Sequence, residues 1–135
     1  MRSILIVDDN PAEQFLYKQL FQTNFKNVDI LKAMNGQEAL NTLKNCSELP
    51  SAILLDLNMP IMNGEEFLKQ YKKTFSKNQM QIYLMADQSA ATKYKNIINS
   101  DYIKMRIEKP LDKNAMHILS RNLNLQSNSD DWIWL

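Results

Sequence analysis

The sequence predicts an α/β domain, a parallel sheet covered by helices on both faces. Short runs rich in isoleucine, leucine and valine recur along the chain, segments with helical spacing of apolar residues separate them, and the alternation repeats five times. Strands alternating with helices in this way argue for parallel pairing with right-handed crossovers. Binding sites in such folds lie at the carboxyl ends of the strands.

The first strand is read in ILIV at 4–7. Asn10-Pro11 starts the first helix, because asparagine accepts from orphan backbone N–H groups and proline is preset for the first helical position. Phe15, Leu16, Leu20 and Phe21 are its expected core face. VDILKA at 28–33 is the second strand, followed by a helix carrying Ala39, Leu40 and Leu43. AILLD at 52–56 is the third strand, and Phe67, Leu68 and Tyr71 mark the helix after it. IYLM at 82–85 is the fourth, with Tyr94, Ile97 and Ile98 on its helix. YIKMRI at 102–107 is the fifth, and Asp112 caps a last helix through Leu119 and Leu123.

Composition narrows the function. The chain has 135 residues, enough for one domain with a real core. Sixteen basic and fifteen acidic residues leave a net charge of +1, so no strong field favours nucleic acid or an anionic membrane. Lysines 69, 72, 73, 77, 93, 95 and 104 are scattered and read as solvated faces. With only Gly36 and Gly64, the glycine-rich phosphate loops are excluded. A single cysteine, Cys46, and the lack of an apolar leader or span point to the cytoplasm.

The strand ends carry the chemistry. Asp8 and Asp9 follow the first strand, Asp56 ends the third, and Lys109 follows the fifth. Adjacent carboxylates repel unless a cation offsets them, and Mg²⁺ suits hard oxygen ligands.

Four segments, ILIVDDNP, LLDLNMPIMNGEEFL, NGQEAL and EKPL, together resemble the receiver domain of two-component response regulators. The resemblance covers residues 1–124 as a domain and leaves 125–135 as a C-terminal tail. It implies the flavodoxin-like, doubly wound five-stranded sheet of order 2-1-3-4-5. It also implies that Asp56 accepts a phosphoryl group from a phosphohistidine of a sensor histidine kinase or histidine phosphotransfer protein. Asp9, Asp56 and the backbone carbonyl of Asn58 would hold Mg²⁺, with Asp8 contributing through water and Lys109 contacting the phosphoryl group. Pro60 would fix the turn after Asp56, Gly64 would permit a backbone conformation costly to other residues, and the Lys109-Pro110 bond would be cis. Such a domain is a phosphoacceptor that assists its own transfer and dephosphorylation, not a conventional enzyme.

Two family features are missing. Ala86 stands where the fourth strand usually ends in serine or threonine, and Arg106 stands near the place of the partner aromatic on the fifth strand. Signal passage through the fourth helix by the usual hydroxyl and aromatic pair is therefore not expected. The expectation is a stand-alone signalling module with an unidentified output partner. The alternative is an interaction module whose phosphorylation is not coupled to output. A hydrolase of the haloacid dehalogenase type wants a second aspartate where Asn58 stands. His117, the single histidine, lies on the last helix and is not the phosphodonor. The tail SNSDDWIWL, 127–135, is expected to pack through Trp132 and Trp134 on its own domain or on a second copy in a homodimer.

Overall fold

The computed structural model describes residues 2–129 and Trp132. In chain order the elements are β1 (Arg2–Val7), α1 (Pro11–Asn24), β2 (Phe25–Lys26), β3 (Val28–Ala33), α2 (Gly36–Asn45), β4 (Ala52–Asp56) and α3 (Gly64–Thr74). They continue with β5 (Gln81–Ala86), α4 (Gln88–Lys93), α5 (Lys95–Ile98), β6 (Ile103–Glu108), α6 (Lys113–Asn122) and β7 (Gln126–Ser127). The main sheet is parallel in the order β3-β1-β4-β5-β6, which is 2-1-3-4-5 when its strands alone are numbered. Four helices start at side-chain caps that the sequence offers. Asn10, Asn35, Asn63 and Asp112 all accept from backbone N–H groups of the first turn.

Strand alternation sends side chains to two cores. One, with Leu5, Val7, Ile53 and Leu55, packs against Ala39, Leu40, Leu43, Phe67, Leu68 and Tyr71 of α2 and α3. The other, with Ile4, Ile6, Leu54 and Tyr83, packs against Tyr17, Leu20 and Phe21 of α1 and Met116 and Leu119 of α6. The central strand β4 is buried along its whole length, as a parallel strand covered on both faces must be.

Three expectations need correction. Phe15 is not a core residue; it is 66 % exposed. The buried face of α1 runs through Gln14, Tyr17, Leu20, Phe21 and Asn24, and Phe15 lies one step off that stripe. The fourth helix is not continuous. It breaks at Tyr94, which leaves the helical region at φ −112° and ψ 38°. Gly64 does not occupy the left-handed region, since neither glycine has positive φ. A Cβ there would instead lie 2.8 Å from the Asp56 carbonyl oxygen and 2.9 Å from Leu57 Cα, so close approach demands the glycine. The left-handed residue of this loop is Ile61, at φ 66°.

A small antiparallel pair, β2 with β7, was too short to leave a periodic signal. It brings the chain after α6 back along the end of α1, where the Asn128 side chain donates to the Thr23 carbonyl at 2.7 Å. Trp132 meets Phe25 edge-on at 5.2 Å, stacks on His117 at 4.1 Å and donates from Nε1 to Ser127 Oγ at 3.0 Å. Trp134 lies outside the described residues. Among the described residues, no helix is long and apolar enough to cross a membrane.

Candidate functional site

Parallel pairing of β1, β4 and β6 within one sheet places the ends of all three on one edge. Asp56 is the last residue of β4, Asp8 follows β1 directly, and both are buried. Asp8 is fixed by its own loop: its N–H donates to the Ala33 carbonyl at 3.0 Å and its Oδ1 accepts from Asn10 N–H at 2.9 Å. Asp9 is exposed beside it. One carboxylate oxygen from each of Asp8, Asp9 and Asp56 lies within 4.8 Å of the other two. Oxygens around an octahedral Mg²⁺ lie at most about 4.2 Å apart, so a hard divalent cation needs only a small contraction of this trio. The donor set and its spacing fit that ion.

Lys109 joins this cluster. Its Nζ is 3.5 Å from Asp56 Oδ1 and 3.8 Å from Asp8 Oδ2. The Lys109-Pro110 peptide is cis, and Lys109 N–H donates to the Ala86 carbonyl at 3.3 Å. Burial opposes a charge on Lys109, but Asp56, Asp8 and Glu13 outweigh it and hold the ammonium up at about 12. Burial also raises Asp56, against the pull of Lys109 and the Asn58 N–H.

Two residues of the site are legible only in the structure. Glu13, on the first turn of α1, makes the shortest contact to Lys109, 3.1 Å from Nζ to Oε2. Gln14 is buried, and its Nε2 donates to the carbonyls of Ile6, Asp8 and Ala33 at 2.9, 3.0 and 2.9 Å. That amide clamps the ends of β1 and β3 and so holds Asp8 in place. Its signal was a polar residue in phase with Tyr17, Leu20 and Phe21.

Burial, reinforced by the hydrogen bond to Glu13, pushes Asp8 up to about 7. The same bond, helped by Lys109, holds Glu13 below its ordinary value. A carboxyl raised by folding contributes stability below its unfolded pKa and loses it as pH climbs through the folded one. Metal-free protein is therefore expected to lose stability, on the order of 2 kcal/mol, between pH 4 and pH 8, the raised Asp56 adding to the Asp8 effect and Glu13 offsetting part of it. Asp8→Asn should flatten that slope and raise stability at pH 8 by a similar amount in urea melts with chelator present. A wild type that gains stability over this range contradicts the assignment.

The remaining predicted positions sit around this centre. Asn58 N–H donates to Asp56 Oδ1 at 3.4 Å, and its side-chain Oδ1 accepts from Tyr94 Oη at 3.2 Å. Pro60 precedes the strained Ile61, and Gly64 N–H donates to the Leu57 carbonyl at 3.1 Å. Ala86 ends β5 fully buried, with no hydroxyl to offer. Arg106 is exposed on β6. Thr92 Oγ1 donates within its own helix, to the Gln88 carbonyl at 3.3 Å.

Comparison with known proteins agrees with this fold. The family model described as response regulator receiver domain matches residues 4–120. The sensor kinase/phosphatase LuxN of Vibrio campbellii is 31 % identical over 123 residues, 90 % of this chain and 14 % of that protein. The sensor histidine kinase CheAY of Helicobacter pylori is 33 % identical over 70 residues, 52 % of this chain and 8 % of that protein. The chain thus spans a small part of these relatives. Among solved structures, a two-component response regulator from Legionella pneumophila superposes with a TM-score of 0.76 at 28 % identity, covering 92 % of this chain and 98 % of that one. One from Cytophaga hutchinsonii gives 0.75 at 28 % identity, covering 92 % and 97 %.

Proposed function

This chain belongs to the response regulator receiver family, and on that premise we propose that Asp56 accepts a phosphoryl group from a phosphohistidine of a sensor kinase or histidine phosphotransfer protein. The observation that carries the proposal is the Asp56 carboxylate clustered with those of Asp8 and Asp9 and within 3.5 Å of the Lys109 ammonium. An Asp56 oxygen attacks phosphorus, the P–N bond breaks, and the histidine nitrogen leaves with the electron pair and takes up a proton. The product is an acyl phosphate on Asp56. Water attacking the same phosphorus later releases phosphate and restores the carboxylate.

Phosphoryl transfer needs positioning and charge neutralisation around the equatorial oxygens more than covalent help. Asp8, Asp9, Asp56 and the Asn58 carbonyl would hold Mg²⁺, which when bound supplies positive charge to those oxygens. Lys109 donates to a phosphoryl oxygen. Both curated relatives described above are sensor kinases by name, which supports a histidine-based donor.

A second reading, an interaction module with phosphorylation uncoupled from output, is favoured by one observation. The buried end of β5 offers the methyl of Ala86 and no hydroxyl to follow a phosphoryl group. Incubation with Mg²⁺ and acetyl phosphate, followed by intact mass measurement, tests the first reading. A phosphate adduct is expected that chelator prevents and Asp56→Asn abolishes. An adduct that survives in Asp56→Asn, or none in the wild type, rejects Asp56 as phosphoacceptor.

A further inference from the structure

We propose that Tyr94 is a positioning residue for the loop after Asp56, acting through Asn58, and that this contact links the state of the site to the α4–α5 junction. The proposal rests on the phosphoacceptor reading given above. Its geometry is specific. Tyr94 sits at the break between α4 and α5 with its ring buried to 7 % exposure in the core that also holds Leu57, Ala86 and Ile97. Its hydroxyl donates to Asn58 Oδ1 at 3.2 Å, across 36 positions of sequence. Asn58 in turn donates its backbone N–H to Asp56 Oδ1 at 3.4 Å. A two-bond path therefore runs from the acceptor carboxylate to Tyr94.

The surroundings make that path informative. The end of β5 has no hydroxyl, because Ala86 fills it, and Arg106 stands exposed on β6 in place of a ring. A phosphoryl group on Asp56 would act on the Asn58 backbone, whose N–H donates to Asp56 and whose carbonyl would help to hold Mg²⁺. A rigid ring packed in the core resists free rotation, so Asn58 moves only with a response at Tyr94. That response falls where the helix is already interrupted and unsupported by a side-chain cap. Lys93, whose Nζ lies 5.2 Å from the Tyr94 ring centroid, carries it to the exposed surface. Linkage makes the effect reciprocal: an arrangement of α4–α5 that favours one position of Tyr94 changes affinity at Asp56 by the same factor.

Tyr94→Phe is the decisive variant, since it removes one oxygen and leaves the buried ring. The probe is beryllofluoride with Mg²⁺, standing for the phosphoryl group, with affinity and amide hydrogen exchange over residues 93–98 as readouts. The variant is expected to bind the probe roughly three- to tenfold more weakly, the worth of one hydrogen bond. It should also lose the exchange change over 93–98 that the wild type shows on binding. Asn58→Ala, which removes the acceptor, should reproduce the lost exchange response. Wild-type affinity in Tyr94→Phe, a retained exchange response, or a wild type that binds the probe with no change over 93–98 overturns the proposal. A wild type that binds no probe and takes no phosphate rejects the phosphoacceptor reading itself, and this inference falls with it.

Discussion

Lys109→Ala is expected to cut the rate at which Asp56 acquires phosphate by roughly 100- to 1000-fold, the usual cost of losing one preorganised donor to a developing charge. Among the described residues no other cation is within ion-pair reach of Asp56 or Asp8. The same change should lower stability at pH 8 by about 2–3 kcal/mol, below the range for a fully buried pair because the lysine side chain keeps 22 % of its exposure. The sign with pH is fixed by the acids. Asp56 and Asp8 are already raised by burial, and without Lys109 they rise further. The deficit should shrink on acidification from pH 8 to pH 5, because proton uptake removes the charge that Lys109 offsets, and Mg²⁺ should restore part of it at pH 8. Urea melts at the two pH values, paired with adduct formation from acetyl phosphate, check this. Equal stability of variant and wild type at pH 8, or a deficit that grows on acidification, contradicts the charge balance described.

Gly64→Ala is expected to destabilise by about 3 kcal/mol, the upper end for overpacking, because the new methyl meets backbone that has nowhere to go. The atoms it meets are the Asp56 carbonyl oxygen and Leu57 Cα, at 2.8 and 2.9 Å. Either α3 moves off the sheet or the end of β4 shifts. A shift of β4 displaces the Asp56 carboxylate, and displacement of about an ångström can cost on the order of 100-fold in rate. Thermal melting should fall by on the order of 10 °C for a domain of this size. Wild-type melting in this variant shows that the loop yields freely and removes close approach as the reason for the glycine.

Much of the sheet and the core of the site were legible because both are written in local patterns. Runs such as AILL at 52–55 are apolar throughout, as strands buried on both faces must be, and the polar residues that follow them mark the strand ends. Asp8, Asp9, Asp56 and Lys109 follow from those ends and from the topology. Phe15 misled because its apolar side chain lies only one residue from the true stripe, while Gln14 occupies the stripe to satisfy three strand-end carbonyls. Glu13 was hidden for a different reason. An acid in the first turn of a helix is explained by the helix dipole alone, so nothing in its neighbours announces a lysine 96 positions away. The break at Tyr94 coincides with a contact to Asn58, and no period in the sequence encodes that.

The order of strands has a consequence for how this domain opens. Edge strands are ordinarily the first to fray, since only one neighbour holds them. Here β6 is an edge, yet the residue just beyond it reaches back to Asp56 on the central β4 and to Asp8 beyond β1. Peeling β6 from β5 costs the backbone ladder and also leaves two buried carboxylates without their counter-charge. The edge is tied electrostatically to the middle, so its loss is coupled to disruption of the centre.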